Sequence, residues 1–431
     1  MNNSQTSSSR ARVSRPERSQ VQMRFHSLEQ MLPKDHRARL VWDYVQRLDL
    51  GPLYEQIVVS DVQAGRSAIA PEILLSLWLL ATLDGIGSGR EINRRCESDI
   101  PYMWICGEVS VNYHTISDFR TKHVAFLERI LVDSVAAMVD SGLVPLETIA
   151  VDGMRVRASA GKSSFRRKPT LKELQAEAQA HLDNLKQESE ADSGREQVSA
   201  RRSAAAERAA RERKERIDEA LKQHDELAQQ REKRKKGDGE QTRTSTTDPD
   251  ARKMKMANGG FDPAFNVQFA TDADSRMIVS VAVTNEGTDG GQLEPMHKKV
   301  CDDYARTPDK MLVDGAYATK EGVTAVEAAG TKIVSSVPRS EQLEKHGKDP
   351  HSPQKGDTPE YAEFRARMAE PQYQELYKTR PSIAEFPNAD CRNRNLKQFR
   401  VRGLVKVKAV ALWHALAFNF TRMLNLEVLG T

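Results

Sequence analysis

The periodicity of hydrophobic positions changes near residue 146. Over residues 23–145, apolar side chains recur at helical spacing, and the strongest of these segments begins at Pro71 and runs to Leu83. Beyond residue 146, short apolar runs of strand length alternate with helical segments. We therefore predict a helical N-terminal domain over residues 23–145, followed by an α/β domain.

A highly charged segment interrupts the α/β pattern. Between residues 170 and 236 the sequence is rich in Ala, Lys, Arg and Glu, and its apolar positions are sparse. This composition predicts a pair of long antiparallel helices, broken near Ser193-Gly194, that buries little surface. We interpret residues 170–245 as a peripheral helical insertion and linker. A solvated charged surface and a nucleic-acid contact through residues 233–236 are both compatible with this composition.

The order of the remaining segments predicts the fold. Residues 265–283 form a predicted hairpin, and two buried strands each end in Asp-Gly, at Asp152-Gly153 and Asp314-Gly315. Strand, insertion, hairpin, helix, strand, helix, strand and C-terminal helices follow one another in the order of the RNase H-like fold. We therefore predict an α/β (α+β) RNase H-like core, built from residues 146–169 and 246–431, with a helical N-terminal domain and a charged helical insertion.

The RNase H-like order brings candidate chemistry together. Its first and fourth strands lie side by side, so Asp152 and Asp314 are expected to be neighbours at the carboxyl ends of strands, where α/β active sites form. A later helix crosses these strand ends, and Glu385, which lies amid basic residues, is the candidate third acid. Three carboxylates can hold two divalent cations, which drive phosphoryl transfer on nucleic acids. An apolar run ending in Asp-Gly is, by itself, also typical of a strand followed by a turn.

Three further aspartates have structural explanations. A turn position accounts for Asp272, and a linker position accounts for Asp250. Asp289, with Gln292 three residues later, predicts a helix start with a capping box. We therefore leave these three aspartates out of the candidate catalytic set.

Charge and composition narrow the class of protein. The net charge is +4, but the first 22 residues carry four arginines against one acid. We predict that residues 1–22 are a disordered basic arm, and a phosphate contact and a solvated tail fit its composition equally well. The sequence shows no apolar stretch of bilayer-spanning length and no signal-peptide pattern. We therefore expect a cytoplasmic protein that has no membrane among its partners.

The N-terminal domain contains a candidate DNA-binding unit. Residues 100–106 and 111–120 resemble a helix-turn-helix pair. In a helix over the second segment, His114, Ser117 and neighbouring polar residues share one face, while Ile116 and Phe119 point inward. An ordinary helical bundle explains the same spacing.

A combination of motifs runs through the chain. Residues 151–156 (Val-Asp-Gly-Met-Arg-Val), residues 247–268 and residues 313–317 (Val-Asp-Gly-Ala-Tyr) are followed by a C-terminal set made of Arg380, Glu385, Arg392, Arg402-Gly403 and Phe418-Asn419. Together with the helical region 70–123, these motifs resemble the DDE transposases of bacterial insertion sequences, in the group close to IS-eleven-eighty-two. The resemblance covers most of the chain from about residue 25.

The chain departs from this family pattern near the third acid. Arg392 stands where the family often has Lys, seven residues after Glu385. The spacing from Tyr377 and Arg380 to Glu385 is one residue longer than in the related Tyr-Arg-Glu-Lys signature. Pro387 would fall in the first turn of a helix that begins near Glu385, where proline is tolerated.

The resemblance implies a function and a set of site residues. It implies a transposase that uses two Mg²⁺ (or Mn²⁺) ions, held by Asp152, Asp314 and Glu385, to cleave element ends and to transfer strands into target DNA. The implied partner is double-stranded DNA, bound by a homodimer in a nucleoid-associated complex. The candidate DNA-binding residues are Arg155, Arg157, His114, Ser117, Arg120, Arg380, Arg392, Lys397, Arg400 and Arg402.

Two other functions fit the same residues. A regulator derived from a transposase would keep DNA binding without catalysis, and the presence of all three acids argues against it. A metal-dependent nuclease without strand transfer would need the same three carboxylates. A solvated basic surface would also explain any single one of the C-terminal arginines and lysines.

Overall fold

The computed structural model describes residues 25–57, 67–191 and 197–426. The predicted basic arm and the predicted helix break at Ser193-Gly194 lie outside these residues. The described helices are α1 (Leu28–Met31), α2 (Arg37–Gln46), α3 (Gly51–Tyr54), α4 (Pro71–Leu83), α5 (Gly89–Ser98), α6 (Ile100–Cys106), α7 (Tyr113–Lys122), α8 (Val124–Asp140), α9 (Lys168–Ala191), α10 (Gln197–Arg234), α11 (Leu293–Tyr304), α12 (Lys320–Ala328), α13 (Ser340–Lys345), α14 (Pro359–Arg367), α15 (Pro371–Asn393) and α16 (Leu404–Asn425).

The strands belong to two sheets. They are β1 (Thr148–Arg157), β2 (Phe165–Arg166), β3 (Thr244–Ser245), β4 (Arg252–Lys255), β5 (Phe261–Asp272), β6 (Ile278–Thr284), β7 (Lys310–Val313) and β8 (Lys332–Val334). The main sheet has the order β4-β5-β1-β7-β8, and β6 pairs with the second half of β5, while β2 and β3 form a small separate ladder. The β6-β5-β1-β7-β8 order is the mixed sheet of an RNase H-like core, and it confirms the predicted fold class.

The N-terminal helices and the sheet share one hydrophobic core. Helix α4 is apolar on every side and almost wholly buried, as expected for a helix at the centre of a bundle. Helix α16 packs on α4, α7 and α8 of the N-terminal bundle and on β6 of the sheet. The indole of Trp413 in α16 donates to the carbonyl of Arg120 in α7 at 3.0 Å. The C-terminal helix therefore joins the N-terminal bundle to the sheet.

The predicted helix-turn-helix pair is not formed as expected. Helices α6 and α7 are present, but each packs mainly on α5, and six residues separate them. This arrangement agrees with the alternative of a helical bundle. His114 and Ser117 nevertheless lie on the exposed side of α7, whereas Ile116 and Phe119 are buried, as predicted.

The charged insertion forms the expected helical pair. Helices α9 and α10 are antiparallel, with Gln175 opposite Asp218 and Lys168 opposite Asp225. Their few buried apolar side chains pack between the two helices and against β3, outside the main core. The segment after α10 is more structured than a linker, because Thr244–Ser245 form β3, which pairs with β2.

Within the described residues, none of the helices combines the length and the apolar character that crossing a membrane requires.

Two aspartates, the buried Asp248 and the half-buried Asp250, hold the start of α16. The Gly403 N–H donates to Asp248 Oδ1 at 3.2 Å, and the Leu404 N–H donates to Asp250 Oδ2 at 2.8 Å. These N–H groups have no partner within the helix, so the carboxylates act as its cap. The linker explanation of Asp250 is therefore wrong. The turn explanation of Asp272 is confirmed, because its Oδ2 accepts from the Ser275 N–H at 2.8 Å.

We expect Asp248→Asn to flatten the pH dependence of the free energy of unfolding between about pH 4 and 6. Burial raises the pKa of Asp248 to about 6. The native state then binds more protons than the unfolded state in this window, so stability falls as the pH rises through it. Full ionisation is expected to cost on the order of 1–3 kcal/mol. Urea unfolding at several pH values measures this difference between the parent and the variant.

The exposed Asp274 provides the control, because Asp274→Asn removes the same charge without removing it from a buried site. A parallel loss of stability in the parent and in Asp248→Asn would show that the buried carboxylate is not its source.

Candidate active site

The two strand aspartates are brought together by a parallel strand pair. Strand β1 pairs with β7 in parallel, and the last pair in the register is Val151 with Val313. Asp152 follows Val151 and Asp314 follows Val313, so the backbones of the two aspartates are neighbours at roughly the 4.8 Å spacing of adjacent strands. The predicted adjacency of the two aspartates is confirmed at the level of the backbone.

The two aspartates differ in their local structure. Strand β7 ends at Val313 and a turn follows, in which the Tyr317 N–H donates to the Asp314 carbonyl at 2.9 Å, and the Asp314 side chain is exposed. Strand β1 instead continues to Arg157 along β5, so Asp152 lies within a strand. The prediction that a strand ends at each Asp-Gly pair is therefore right only for Asp314.

Helix α15 surrounds Asp152 with polar groups. Asn388 Nδ2 donates to Asp152 Oδ2 at 2.8 Å, and Arg380 Nη1 lies 3.8 Å from Asp152 Oδ1. Burial raises the pKa of Asp152 to about 6; the Arg380 charge opposes this rise, and the charges of Asp289 and Glu385 add to it. Asp152 is thus a carboxylate that is costly to ionise and that gains from a nearby cation.

Glu385 lies on the helix that was expected to carry it. Its side chain is 61% exposed, and its Oε1 lies 3.9 Å from Arg380 Nη2. The Arg380 guanidinium therefore stands between Asp152 and Glu385. The helix begins at Pro371, so Pro387 lies in its interior and not in its first turn, as the sequence had suggested. Proline in that position leaves one carbonyl without its usual helical partner.

Each Asp-Gly glycine allows a close approach. A Cβ at Gly153 would lie 2.5 Å from Asp289 Oδ1 and 2.6 Å from Gln268 Nε2. A Cβ at Gly315 would lie 2.5 Å from Ser336 Oγ. Any side chain at these positions would push polar groups away from the two aspartates, and this explains why Gly follows each of them.

Asp289 is a site residue that the sequence did not identify. Helix α11 begins only at Leu293, so the predicted helix start at Asp289 is wrong. The Asp289 carboxylate instead faces the strands, where it accepts from Asn266 Nδ2 at 2.7 Å and from Gln268 Nε2 at 3.0 Å. Arg155 Nη2 lies 3.5 Å from its second oxygen. Asn266 and Gln268 are polar residues within a long buried strand, and this was the sequence signal for a site.

Three candidate DNA-binding arginines have internal roles. Arg120 is buried, donates to the Gly87 carbonyl at 2.9 Å and stacks on Trp78. Arg155 pairs with Asp289, and Arg380 lies between two acids of the site. We therefore remove them from the surface that could bind DNA. The candidates that are exposed are Arg157, His114, Ser117, Arg392, Lys397, Arg400 and Arg402.

Some of the exposed candidates share a cleft. The cleft has a volume of about 760 Å³ and is lined by Ser117 of α7, by Arg400 and Arg402, and by part of α10. Lys406 at the start of α16 and Arg216 of α10 bring the number of cationic side chains in the lining to four. Helix α10 also contributes acidic residues to the lining, namely Glu212, Glu215 and Glu219. The cleft thus unites candidates from α7 and from the loop before α16.

The acids present the oxygen ligands that Mg²⁺ prefers. Among the residues that the structure describes, no group of three or more His, Cys, Asp or Glu side chains is gathered closely enough to hold a metal ion. Mg²⁺ sites typically use one or two carboxylates and complete their ligands with water and substrate phosphates. Asp152 and Asp314 lie on adjacent strands, and a nearby cation would favour the ionised form of the buried Asp152. The pair fits that requirement.

Comparisons with known proteins identify two regions of the chain. The family described as Transposase domain (DUF772) matches residues 26–122, which contain helices α1 to α7. The family described as Transposase DDE domain matches residues 191–420, which contain Asp314 and Glu385. Strand β1 with Asp152 lies between the two matched ranges. No curated protein and no solved structure matches the chain.

We expect Gly153→Ala to destabilise the fold by about 1–3 kcal/mol, because the methyl group must displace Asp289 or Gln268. Thermal or urea unfolding measures the change. Gly161→Ala is the control, because the nearest atom to a Cβ at that position is Ser163 Oγ at 3.6 Å. Equal stability of the two variants would contradict the close approach at Gly153.

Proposed function

The chain belongs to the Transposase DDE domain family, whose match covers more than half of it, and from this premise we propose that it is an active transposase. It cleaves DNA at the ends of an insertion sequence in a Mg²⁺-dependent reaction and joins the freed 3′-hydroxyls to target DNA. The observation that carries this proposal is the parallel register that ends at Val151 and Val313 and leaves Asp152 and Asp314 side by side.

Asp152, Asp314 and Glu385 hold the divalent cations in this proposal. When bound, two Mg²⁺ or Mn²⁺ ions stabilise the charge on the attacking and leaving oxygens of phosphodiester cleavage. Asp152 would supply one carboxylate, together with Asp314 on the neighbouring strand and Glu385 on α15. Asn388 fixes the orientation of the Asp152 carboxylate by donating to one of its oxygens.

Arg380 prepares the site in the free protein. Its guanidinium lies within 4 Å of both Asp152 and Glu385 and reduces the repulsion between them. Two of its nitrogens, Nε and Nη1, have no hydrogen-bond partner among the described residues. Because both nitrogens are also shielded from solvent, Arg380 acts on the two acids of the site and not on the outer DNA-binding surface.

Duplex DNA occupies the cleft between α7 and the loop before α16. Arg400, Arg402 and Lys406 contact the phosphates, and Ser117 on α7 faces the same space. Arg157 and Lys397 extend this surface back toward Asp152, because the end of β1 pairs with the chain near Lys397. From Asp152 to Arg157 the strand advances roughly 17 Å, about half a turn of duplex DNA.

We also propose that the chain acts as a homodimer on its DNA and that it belongs to the group close to IS-eleven-eighty-two. These proposals rest on the resemblance of the motifs around Asp152, Asp314 and Glu385.

A strand-transfer assay tests the function. The purified chain is incubated with Mg²⁺, a labelled duplex that carries the DNA flanking its own gene, and a supercoiled target plasmid. An active transposase releases a 3′ end and yields labelled plasmid. Cleavage without labelled plasmid would identify a nuclease, and binding without cleavage would identify a regulator.

We expect Asp152→Asn and Asp314→Asn to abolish cleavage, and Glu385→Gln to slow it by orders of magnitude. Each change removes a ligand from the cations that relieve the transition-state charge. Binding of the end duplex should stay within a few-fold of the parent. Single-turnover cleavage and a gel-shift titration measure the two quantities.

Glu375→Gln is the matched control for Glu385→Gln, because Glu375 lies on the same helix and is similarly exposed, at 70%. Near-normal cleavage by Glu385→Gln would show that the third acid is another residue.

We expect the double variant Arg400→Ala/Arg402→Ala to weaken DNA binding on all sequences. Each lost phosphate contact should reduce the slope of log affinity against log salt by about one. Fluorescence anisotropy at several salt concentrations measures the slope. Arg306→Ala/Lys332→Ala removes the same charge from exposed positions outside the cleft. Equal slopes for the two double variants would exclude the cleft as the DNA site.

A further inference from the structure

A buried polar layer lies directly beneath the candidate active site. Asp289, only 16% exposed, accepts hydrogen bonds from Asn266 and Gln268 and faces Arg155. A carboxylate in such a place is costly unless it is fully paired. Two amide donors and one guanidinium supply that pairing. A Cβ at Gly153 would clash with Asp289 and with both amide side chains, since it would lie within 2.8 Å of an atom of each.

The same layer reaches the second aspartate. Gln268 is fully buried, and its side-chain carbonyl accepts a hydrogen bond from the Tyr317 hydroxyl. Tyr317 is buried in the turn that begins at Asp314 and closes that turn with its backbone N–H. A continuous series of hydrogen bonds therefore runs from Asp289, next to the Asp152-Gly153 backbone, through Gln268 to the Asp314 turn.

The negative charge of Asp289 determines which group donates and which accepts in each of these hydrogen bonds. A carboxylate can only accept, so it requires the amide groups of both Asn266 and Gln268 to point their nitrogens toward it. The Gln268 oxygen then faces the other way, toward Tyr317. A neutral amide in place of Asp289 could donate as well as accept, and it would permit Gln268 to turn over and lose Tyr317.

We propose that Asp289 is a positioning residue that holds Asp152 and Asp314 in their working arrangement. It acts through Gly153 on one strand and through Gln268 and Tyr317 on the other, and it does not itself touch the substrate. The inference rests on the proposed function, since it assigns a role relative to the two acids of that site. Groups that orient metal ligands typically change metal affinity or activity by about 10- to 100-fold when removed.

Asp289→Asn and Tyr317→Phe test this role, with three measurements on each variant. These are the single-turnover cleavage rate at saturating DNA, the dissociation constant for the end duplex, and Mn²⁺ binding followed by electron paramagnetic resonance. We expect cleavage and Mn²⁺ binding to weaken by about 10- to 100-fold. DNA binding should stay within about twofold, because neither side chain belongs to the surface assigned to DNA.

Asp303→Asn is the matched control. Asp303 is an aspartate of similar exposure, 19%, that pairs with Lys299 on α11 and contacts none of the residues in the polar layer. It should lose stability without a specific loss of Mn²⁺ binding. The double variant Asp289→Asn/Tyr317→Phe should cost little more than the more damaging single variant, because both changes break the same series of hydrogen bonds.

Unchanged cleavage and Mn²⁺ binding in folded Asp289→Asn would overturn the inference, as would losses no larger than those of Asp303→Asn. If Asp289→Asn does not fold, Tyr317→Phe decides, because it removes only one hydroxyl. A parent that binds Mn²⁺ but does not cleave DNA would refute the proposed function, and the Mn²⁺ comparison would still decide the role of Asp289.

Discussion

The parallel pairing of β1 with β7 is the constraint on which the site depends. Parallel strands require a crossover connection, and here the chain between them contains the insertion, the β5–β6 hairpin and α11. The pairing of Thr148–Val151 with Lys310–Val313 fixes the register, and the last three residues of each segment lie in the buried core. A shift by one residue would turn Asp152 to the other face of the sheet. The apolar residues before each aspartate therefore position it.

Two further layers act on this pair of strands. Helix α15 lies over one side and brings Asn388 and Arg380 to Asp152. The polar layer around Asp289 lies against Gly153 and continues to Tyr317. Helix α16 anchors the assembly, since it packs on the sheet and on the N-terminal helices and begins at a cap formed by Asp248 and Asp250. The cleft proposed to bind DNA opens beside that cap, so its arginines and the strands that carry Asp152 and Asp314 belong to one continuous core.

The insertion places charges of both signs around the cleft. Its α10 helix lines the cleft with three glutamates and Arg216, and the loop before α16 lines it with arginines. The basic residues of the cleft attract a polyanion and the acidic residues repel it, so the proposed DNA duplex would lie nearer the basic residues. From the sequence alone, α10 was predicted to be a solvated charged helix. Its apolar positions are too sparse to predict which part of the protein it packs against.

Local pattern determined the elements and the main acids of this protein. The apolar helix at Pro71–Leu83, the hairpin of β5 and β6 and the strand before Asp314 follow from periodicity, because side-chain spacing matches the geometry of each element. Tertiary structure alone decided which distant residues meet. Asp289 has the sequence context of a helix cap, yet the late start of α11 frees it to pair with Asn266 and Gln268. Arg120 and Arg380 look like surface cations in sequence, and only the packing of α7 and α15 buries them, because burial depends on neighbours that sequence spacing does not specify.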